Sequence, residues 1–272
     1  MISRLLSTLL ICLILCVSTR ASANPRPLPF SYPVSTLAAG EREVEQIIDI
    51  VPVRVERETD TGSSEAVLSH RYELQTELEY GLTDRWELAF YLVAAQGATA
   101  GAPALHFRGI KQRARVRLGE PGLWPLDVGL YFEVAEYHNE LELEQKLLLE
   151  RRFGKLGISA NLWVEQEYYF ETEDTKLIYN PTFGVYYEVT PAFVPGLEWW
   201  ARGRFDEETQ PSNAAASEGG GRHYLGPTVM VQGQELFLTA GVYARLDALG
   251  AGVPPGDNYG RLWARVMLGI GL

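Results

Sequence analysis

Charged side chains recur at alternate positions in several stretches of this 272-residue chain. Residues 72–92 read YELQTELEYGLTDRWELAFYL and carry the acidic residues Glu73, Glu77, Glu79 and Glu87. Residues 105–118 carry a basic set, Lys111, Arg113, Arg115 and Arg117. A period of two places each set on one face of a β-strand. Rows of such side chains along a pore select solutes by charge, and this is the chemistry that the spacing predicts.

The alternation continues along the rest of the chain with both charge signs. It adds to the predicted lumen lining Glu142, Glu144, Glu165, Glu167, Arg202, Arg204, Arg261 and Arg265. Acidic and basic residues fall mostly on different strands, so we predict a lumen wall that is divided by charge. Two functions remain open, a narrow charge-selective path and an internal salt-bridge network that fills the lumen and conducts little.

A third alternative is an outer-membrane enzyme that modifies lipids. Its nucleophilic catalysis would require a serine close to a histidine and an orienting acid or amide. The four histidines are His70, His106, His138 and His223. Ser69 adjoins His70, but neighbours on a strand point to opposite faces. His138 begins a His-Asn-Glu link, where turn chemistry is a sufficient explanation. We therefore predict that the protein is not an enzyme.

Two loops offer oxygen ligands of the kind that calcium prefers, at Asp257-Asn258 and at residues 171–175, ETEDT. Solvated loop carboxylates are far commoner than calcium sites. The glycine run at residues 218–222, EGGGR, lacks the strand and helix that a phosphate-binding loop requires. We predict neither a metal nor a cofactor.

Strand-like stretches and breaks alternate from residue 41 to the end, and we count about twelve. The first, residues 43–57, contains Pro52, so its register is the least certain. Residues 141–151, LELEQKLLLER, also suit a helix, but the short link before them favours a hairpin. Compact breaks alternate with longer ones, an asymmetry typical of outer-membrane barrels. We predict an all-β fold, a single antiparallel transmembrane β-barrel over residues 41–272 with both termini periplasmic.

A soluble β-sandwich would also alternate apolar and polar residues. Two features favour the membrane barrel: apolar faces about as long as a hydrocarbon core, and aromatic residues near strand ends. Such rings suit the membrane interface, because one edge tolerates headgroups while the body stays in hydrocarbon. We predict interfacial positions for Tyr80, Trp86, Trp199 and Phe205.

Residues 1–23 have the pattern of a secretory signal peptide, with Arg4, an apolar run and Ala21-Ser22-Ala23 before Asn24. Residues 24–40 hold four prolines and are predicted to form a periplasmic lead or partial plug. Both cysteines lie within residues 1–23, which excludes a disulfide-stapled module. After residue 23, 22 basic residues stand against 35 acidic ones, a formal charge of −13, which argues against a nucleic-acid partner.

Residues 72–92 and 224–244, together with the proline-rich lead and TLAAGEREVEQ after it, resemble a family of bacterial outer-membrane β-barrels of porin or transporter type. The family is similar to barrels linked to export or uptake in phenol-degradation pathways. The resemblance implies outer-membrane lipid and the barrel-assembly machinery as partners, and leaves the solute and the oligomeric state open. The chain ends at Leu272 and not at the aromatic residue with which many such barrels end.

Overall fold

The computed structural model describes residues 23–59, 62–97, 105–205, 221–249, 253 and 255–272. Apart from Ala23, the predicted signal peptide lies outside these ranges. The regular structure within them is entirely strand: β1 (Arg42–Glu58), β2 (Ser64–Gly81), β3 (Trp86–Gln96), β4 (His106–Arg117), β5 (Asp127–Tyr137), β6 (Glu140–Phe153), β7 (Leu156–Tyr169), β8 (Asp174–Tyr179), β9 (Thr182–Tyr187), β10 (Phe193–Arg204), β11 (Arg222–Gln232), β12 (Leu236–Arg245) and β13 (Leu262–Gly271). Within these ranges we find no α-helix with the length and hydrophobicity that a membrane span requires.

The strands form one closed antiparallel barrel. Chain neighbours pair along the wall, and β13 returns to pair with β1, from Glu43 opposite Gly271 to Ile50 opposite Ala264. Segments β8 and β9 both lie between β7 and β10, so they share one wall position that is interrupted at residues 180–181. The proline there lacks the N–H that a continuous ladder needs. In the described residues the barrel therefore has twelve wall positions, and the predicted all-β barrel is confirmed.

Strand β3 shows how the wall separates two environments. Its outward face carries the exposed side chains Trp86, Leu88, Phe90 and Leu92. Its inward face carries the buried side chains Glu87, Ala89, Tyr91 and Val93. An apolar outer face and a charged inner face are the arrangement of a transmembrane barrel, in which only the lumen accommodates polar groups.

Residues 140–153 form strand β6, so the helical alternative for this stretch is wrong. Its outward face is built from Leu141, Leu143, Leu147 and Leu149, while glutamates alternate with them on the buried side. Strand β6 is paired along its length with both β5 and β7. This tertiary pairing outweighs the helix propensity of leucine, glutamate and lysine, which is a weak preference for each residue.

The two ends of the barrel differ in their connections. The start of β1 and the end of β13 lie at the end that we name the short-turn end, together with the connections at residues 82–85, 118–126, 154–155, 188–192 and 233–235. The opposite end, named the long-loop end, carries the two longest connections, residues 205–221 and 246–261. Other connections at the long-loop end, such as 138–139, are short, so the predicted asymmetry rests on a few loops.

Strand β1 tolerates Pro52 because of where its pairing stops. The ladder between β1 and β13 ends at Ile50, whereas the ladder between β1 and β2 continues to Glu58. Pro52 therefore lies where one side of β1 has no ladder partner in the described residues, the position in a sheet that accepts a missing N–H.

Candidate functional site

Part of the lumen is filled by the chain itself, through residues 23–40, which we name the inner segment. The Ala23 N–H donates to the carbonyl of Gln234 (3.4 Å) and the Gly40 N–H donates to the carbonyl of Gly81 (2.7 Å). Because both acceptors lie at the short-turn end, the inner segment enters and leaves the barrel there. Its four prolines cannot donate to a strand ladder. The inner segment is therefore a re-entrant loop inside the wall and not a thirteenth wall position.

The apex of the inner segment is held by one wall carboxylate. The Phe30 N–H donates to both oxygens of Glu198 (3.1 and 3.2 Å), and the Ser31 N–H donates to one of them (2.7 Å). The Tyr243 hydroxyl also donates to Glu198. Glu198 is fully buried, and hydrogen bonds to an ionised acceptor are stronger than neutral ones. The bend at Phe30 and Ser31 is thus fixed to strand β10.

The Phe30 side chain packs among aromatic rings of the wall. Its ring stacks on Trp200 with centroids 4.5 Å apart and meets Tyr243 (5.2 Å) and Trp263 (6.1 Å) edge-on. The Arg265 guanidinium lies 3.9 Å from the Phe30 ring centroid. Rings in these geometries attract one another beyond the area that they bury. Phe30 therefore fills the centre of the lumen with an aromatic cluster.

Tyr32, just after the apex, is held through both its backbone and its ring. Its N–H donates to Asn161 Oδ1 (2.7 Å), and Asn161 Nδ2 donates back to its carbonyl (3.0 Å). Its ring centroid lies 3.9 Å from the Arg26 guanidinium and 4.5 Å from Lys146 Nζ. Cations over an aromatic face are attracted more strongly when they are desolvated. Tyr32 thus connects the inner segment to strands β6 and β7.

Arg26 is the cation of the inner segment itself. It is 1% exposed, and its Nη1 lies 3.1 Å from Glu45 and 4.0 Å from Glu77. Burial alone lowers the pKa of Arg26, but Tyr32, Glu45 and Glu77 raise it above its usual value. Arg26 therefore stays charged inside the barrel and neutralises part of the acidic wall.

Beside Arg26, strands β2, β3 and β4 form a ladder of buried ion pairs. Arg113 contacts Glu77 (2.8 Å), Glu79 (2.7 Å) and Glu87, and Arg115 contacts Glu87 (2.7 Å). All five side chains are almost completely buried. Charges removed from water in this way need partners in good geometry. The alternation that predicts two oppositely charged strands thus brings them together as paired charges.

The inner segment separates two cavities. On the long-loop side is a cavity of about 240 Å³, here the long-loop cavity, and Phe30 is its one lining residue from the inner segment among the described residues. On the other side is a cavity of about 210 Å³, here the short-turn cavity, lined by residues that include Pro25, Pro27 and Pro33. These two cavities share no lining residue in the described part of the chain, and the inner segment contributes side chains to both.

The long-loop cavity continues toward the surface. A wider cavity of about 850 Å³ between strands β2 to β5 shares with it the lining residues Arg71, Glu73, Arg108 and Tyr137. Its other lining residues include the exposed side chains of His106 and Phe107. The wider cavity therefore adjoins the charged side chains above Phe30 at the long-loop end of the barrel.

Charges around the long-loop cavity are paired across the wall. Arg202 contacts Glu165 (2.8 Å) and Glu167 (2.6 Å). Arg265 contacts Asp49 (2.6 Å). Other pairs that line it join Arg108 to Glu73 and Glu140, and Lys111 to Glu144. The wall of this cavity thus presents both signs of charge, joined as ion pairs.

Most of the predicted lumen residues have buried or half-buried side chains directed inward: Glu73, Glu77, Glu79, Glu87, Lys111, Arg113, Arg115, Glu142, Glu144, Glu165, Glu167, Arg202 and Arg265. Arg117 instead lies at the short-turn rim and donates to Glu120 (2.7 Å). Arg204 is the last residue of β10, at the long-loop rim. Arg261 precedes β13, is exposed and donates to the Ala248 carbonyl (3.2 Å), so it does not line the lumen.

Several buried inward carboxylates are additions to the predicted set: Glu43, Glu45, Asp49, Glu133 and Glu198. Three of them lie on β1 with the spacing of two or four that marks one strand face. The signal was therefore present in the sequence, but Pro52 left the register of that strand uncertain. The contacts of Glu198 with the inner segment carry no sequence signal, because its partners are backbone N–H groups.

The predicted interfacial aromatics lie on the outer surface at different heights. Tyr80 and Trp86 are exposed and flank the turn at residues 82–85. Phe205 is exposed at the long-loop end and packs edge-on against Tyr179 (5.1 Å). Trp199 lies near the middle of β10, where its ring stacks on His223 (5.7 Å). Trp199 therefore differs from the other three, which lie near strand ends.

Carboxylates come together in threes at two places in the described residues, Glu43-Glu45-Glu79 and Glu142-Glu165-Glu167. In the second group Arg202 already occupies Glu165 and Glu167. A guanidinium in this position competes with a metal ion for the same oxygens. That the protein has no metal centre remains a prediction. That it is not an enzyme also remains a prediction.

No protein-family model matches this sequence, and neither does any curated protein. In structure, 88% of the chain superposes on 98% of an outer-membrane channel from Pseudomonas putida F1, with a TM-score of 0.62 and 12% identity. Likewise, 82% of the chain superposes on 98% of the NanC porin chain, with a TM-score of 0.54 and 9% identity. The chain has the fold of outer-membrane β-barrels. At these identities the likeness shows the fold alone, and for the fold it confirms the predicted resemblance.

Proposed function

We propose that this protein is an outer-membrane channel for small solutes that the inner segment holds closed. The observation that carries the proposal is the pair of cavities on either side of residues 26–33. Each cavity has room for water and ions, and the chain between them is held by side chains of the wall. The apolar outer face and the fold support a place in the outer membrane.

The orientation follows from the general architecture of such barrels, which have their short turns in the periplasm. The short-turn end then faces the periplasm, and the inner segment enters from that side. Solutes from outside would reach the long-loop cavity first and meet its paired acidic and basic side chains. These side chains would select by charge before the solute reaches Phe30.

Conductance of the refolded protein in planar lipid bilayers tests the proposal. We would compare residues 24–272 with the same chain in which residues 25–33 are replaced by a glycine-serine sequence of equal length. The replacement keeps the chain length and removes the anchors of Phe30 and Tyr32. We expect rare openings in the first protein and steady conductance in the second.

A barrel whose ion pairs fill the lumen permanently is the alternative that the buried Arg113 ladder favours. If neither protein conducts or takes up solute in liposomes, this alternative is correct and the channel proposal is wrong. If both conduct equally, the inner segment does not close the channel. Recovery of the native protein in a detergent-free periplasmic extract would contradict its membrane location.

A further inference from the structure

Three buried carboxylates meet where the inner segment enters the barrel. Oxygens of Glu43, Glu45 and Glu79 lie within 4.8 Å of one another, and each side chain is at most 1% exposed. Like charges at such distances in a buried site are relieved either by protonation of a carboxyl group or by cations close by. Arg26 contacts Glu45, and Arg113 contacts Glu79. Within the described residues, no arginine or lysine forms an ion pair with Glu43.

The buried charges around these three carboxylates also include more acidic groups than basic ones. The buried carboxylates of this wider cluster are Glu43, Glu45, Glu77, Glu79 and Glu87. The buried cations of the cluster, counted over the described residues, are Arg26, Arg113 and Arg115. When all five carboxylates are ionised, three guanidinium groups leave an excess of negative charge, and the carboxylate without a guanidinium contact in the described residues is Glu43.

A donor does reach Glu43, and it comes from the backbone. The N–H of Asn24 donates to Glu43 Oε2 at 2.6 Å. The second oxygen, Oε1, is buried and has no hydrogen-bond partner among the described residues. A peptide N–H supplies one hydrogen and no net charge. An α-ammonium group at the same nitrogen would supply three hydrogens and a full positive charge.

We propose that the mature N-terminus of the protein is the cation of this cluster. Hydrolysis of the Ala23–Asn24 peptide bond consumes one water, releases residues 1–23 with a carboxylate on Ala23, and leaves an α-amino group on Asn24 that is protonated. This ammonium forms an ion pair with Glu43 and donates a further hydrogen bond to Oε1. The cluster is therefore a binding site for the chain's own processed end, and full docking of the inner segment follows processing. The inference does not rest on conduction.

Amine labelling of the folded mature protein in detergent tests the inference. The probe is sulfo-N-hydroxysuccinimide acetate at neutral pH, and peptide mass spectrometry reads the product at the N-terminus and at exposed Lys155. We expect Asn24 to be the first residue. We expect its α-amine to react at least tenfold more slowly than in the urea-unfolded chain, whereas Lys155 reacts at similar rates in both.

Two variants separate the ion pair from simple burial. Glu43→Gln removes the charge partner, and a chain that retains Ala23 moves the ammonium one residue away, about 3.8 Å. Both should lose most of the protection, while Glu56→Gln, at the exposed far end of β1, should keep it. A different first residue, full reactivity of the folded α-amine, or equal protection in Glu43→Gln and Glu56→Gln would each overturn the inference. Channel conductance enters none of these outcomes, so the two proposals can fail separately.

Discussion

The two halves of the lumen use the same residue type for different purposes. In the short-turn half, wall carboxylates accept backbone N–H groups of the inner segment, as Glu87 does from Leu37 (2.8 Å) and Glu150 from Val34 (3.0 Å). In the long-loop half, carboxylates such as Glu165 pair with wall arginines around a cavity. The alternation along the strands is the same in both halves, and both contain ion pairs with wall arginines. In the short-turn half, the carboxylates also accept hydrogen bonds from the backbone of the inner segment, and Glu87 does both.

Because of this difference, we expect the short-turn half to control closure of the lumen and the long-loop half to control which solutes pass. Carboxylates that hold the inner segment have their lone pairs occupied by the chain, so they offer little to a passing solute. Those around the long-loop cavity are neutralised by arginine side chains that line the same cavity, so both members of each pair are within reach of a solute there. A change in the short-turn half should therefore alter how often the lumen is open, and a change in the long-loop half should alter what passes.

Glu198→Gln gives the largest expected effect, because Glu198 accepts two backbone N–H groups at the apex. The glutamine amide would present a donor to at least one of these N–H groups or to the Tyr243 hydroxyl. Hydrogen bonds to charged groups contribute about 1.5–3 kcal/mol each, so we expect a roughly ten- to hundredfold rise in open fraction. Single-channel recording measures it.

The matched control is Glu188→Gln, which replaces a carboxylate at the short-turn rim that contacts Arg152 (2.7 Å) and not the inner segment. The open fraction of this variant should equal that of the unmodified protein. Equal opening in the two variants would show that any loss of negative charge near the mouth is sufficient, and that the apex contacts do not hold the closed state.

Tyr32→Leu should have the next effect. Leucine keeps most of the apolar volume but removes the ring face near Arg26 and Lys146. A desolvated cation–π contact contributes about 1–2 kcal/mol, so the open fraction should rise about fivefold or more. Tyr32→Phe, which keeps the ring, is the control and should remain closed. A leaky Tyr32→Phe variant would mean that the hydroxyl, and not the ring, is important.

The wall of the barrel could be predicted from the sequence because its pattern is local. Each strand repeats apolar and polar residues with period two, so residues 72–92 alone show which side chains face each way. The sequence shows Pro181 but does not predict its effect on the strand, because a proline within a paired stretch can be accommodated at an edge or can interrupt a strand. The structure shows the interruption, between β8 and β9.

The contacts inside the lumen could not be predicted, because they join residues that are far apart in the chain. Glu198 binds backbone N–H groups more than 160 residues away in the chain, and nothing at either position marks the other. Arg261 was wrongly assigned to the lumen, because the alternation was extended one residue before the start of β13 at Leu262. Periodicity indicates a face, but strand ends and partners from irregular segments depend on the closed barrel.

Arg202→Gln should change selectivity and not opening. Without the guanidinium, Glu165 and Glu167 lose their shared partner and the long-loop cavity becomes more negative. In the background with residues 25–33 replaced, we expect the cation-to-anion permeability ratio from reversal potentials to rise about twofold. Arg261→Gln should leave the ratio unchanged, since Arg261 lies outside the lumen. A shift of the same size in both variants would contradict this assignment.

Glu120→Gln should give the smallest effect, since it lies in an exposed turn at the short-turn rim, far from both cavities. Hydrogen bonds from Arg117 (2.7 Å) and Arg85 (2.9 Å) lower the pKa of Glu120 below its usual value. A lowered pKa in the folded state stabilises the fold at pH values above the unfolded-state pKa, and this contribution is lost as pH falls through the folded-state value. Urea unfolding midpoints in lipid vesicles should therefore be slightly lower for Glu120→Gln than for the unmodified protein at pH 7, and the two should converge in strong acid. Exposed Glu171→Gln should show no difference at either pH, and a gap for Glu120→Gln that widened on acidification would show that the ion pairs with Arg85 and Arg117 do not stabilise the turn.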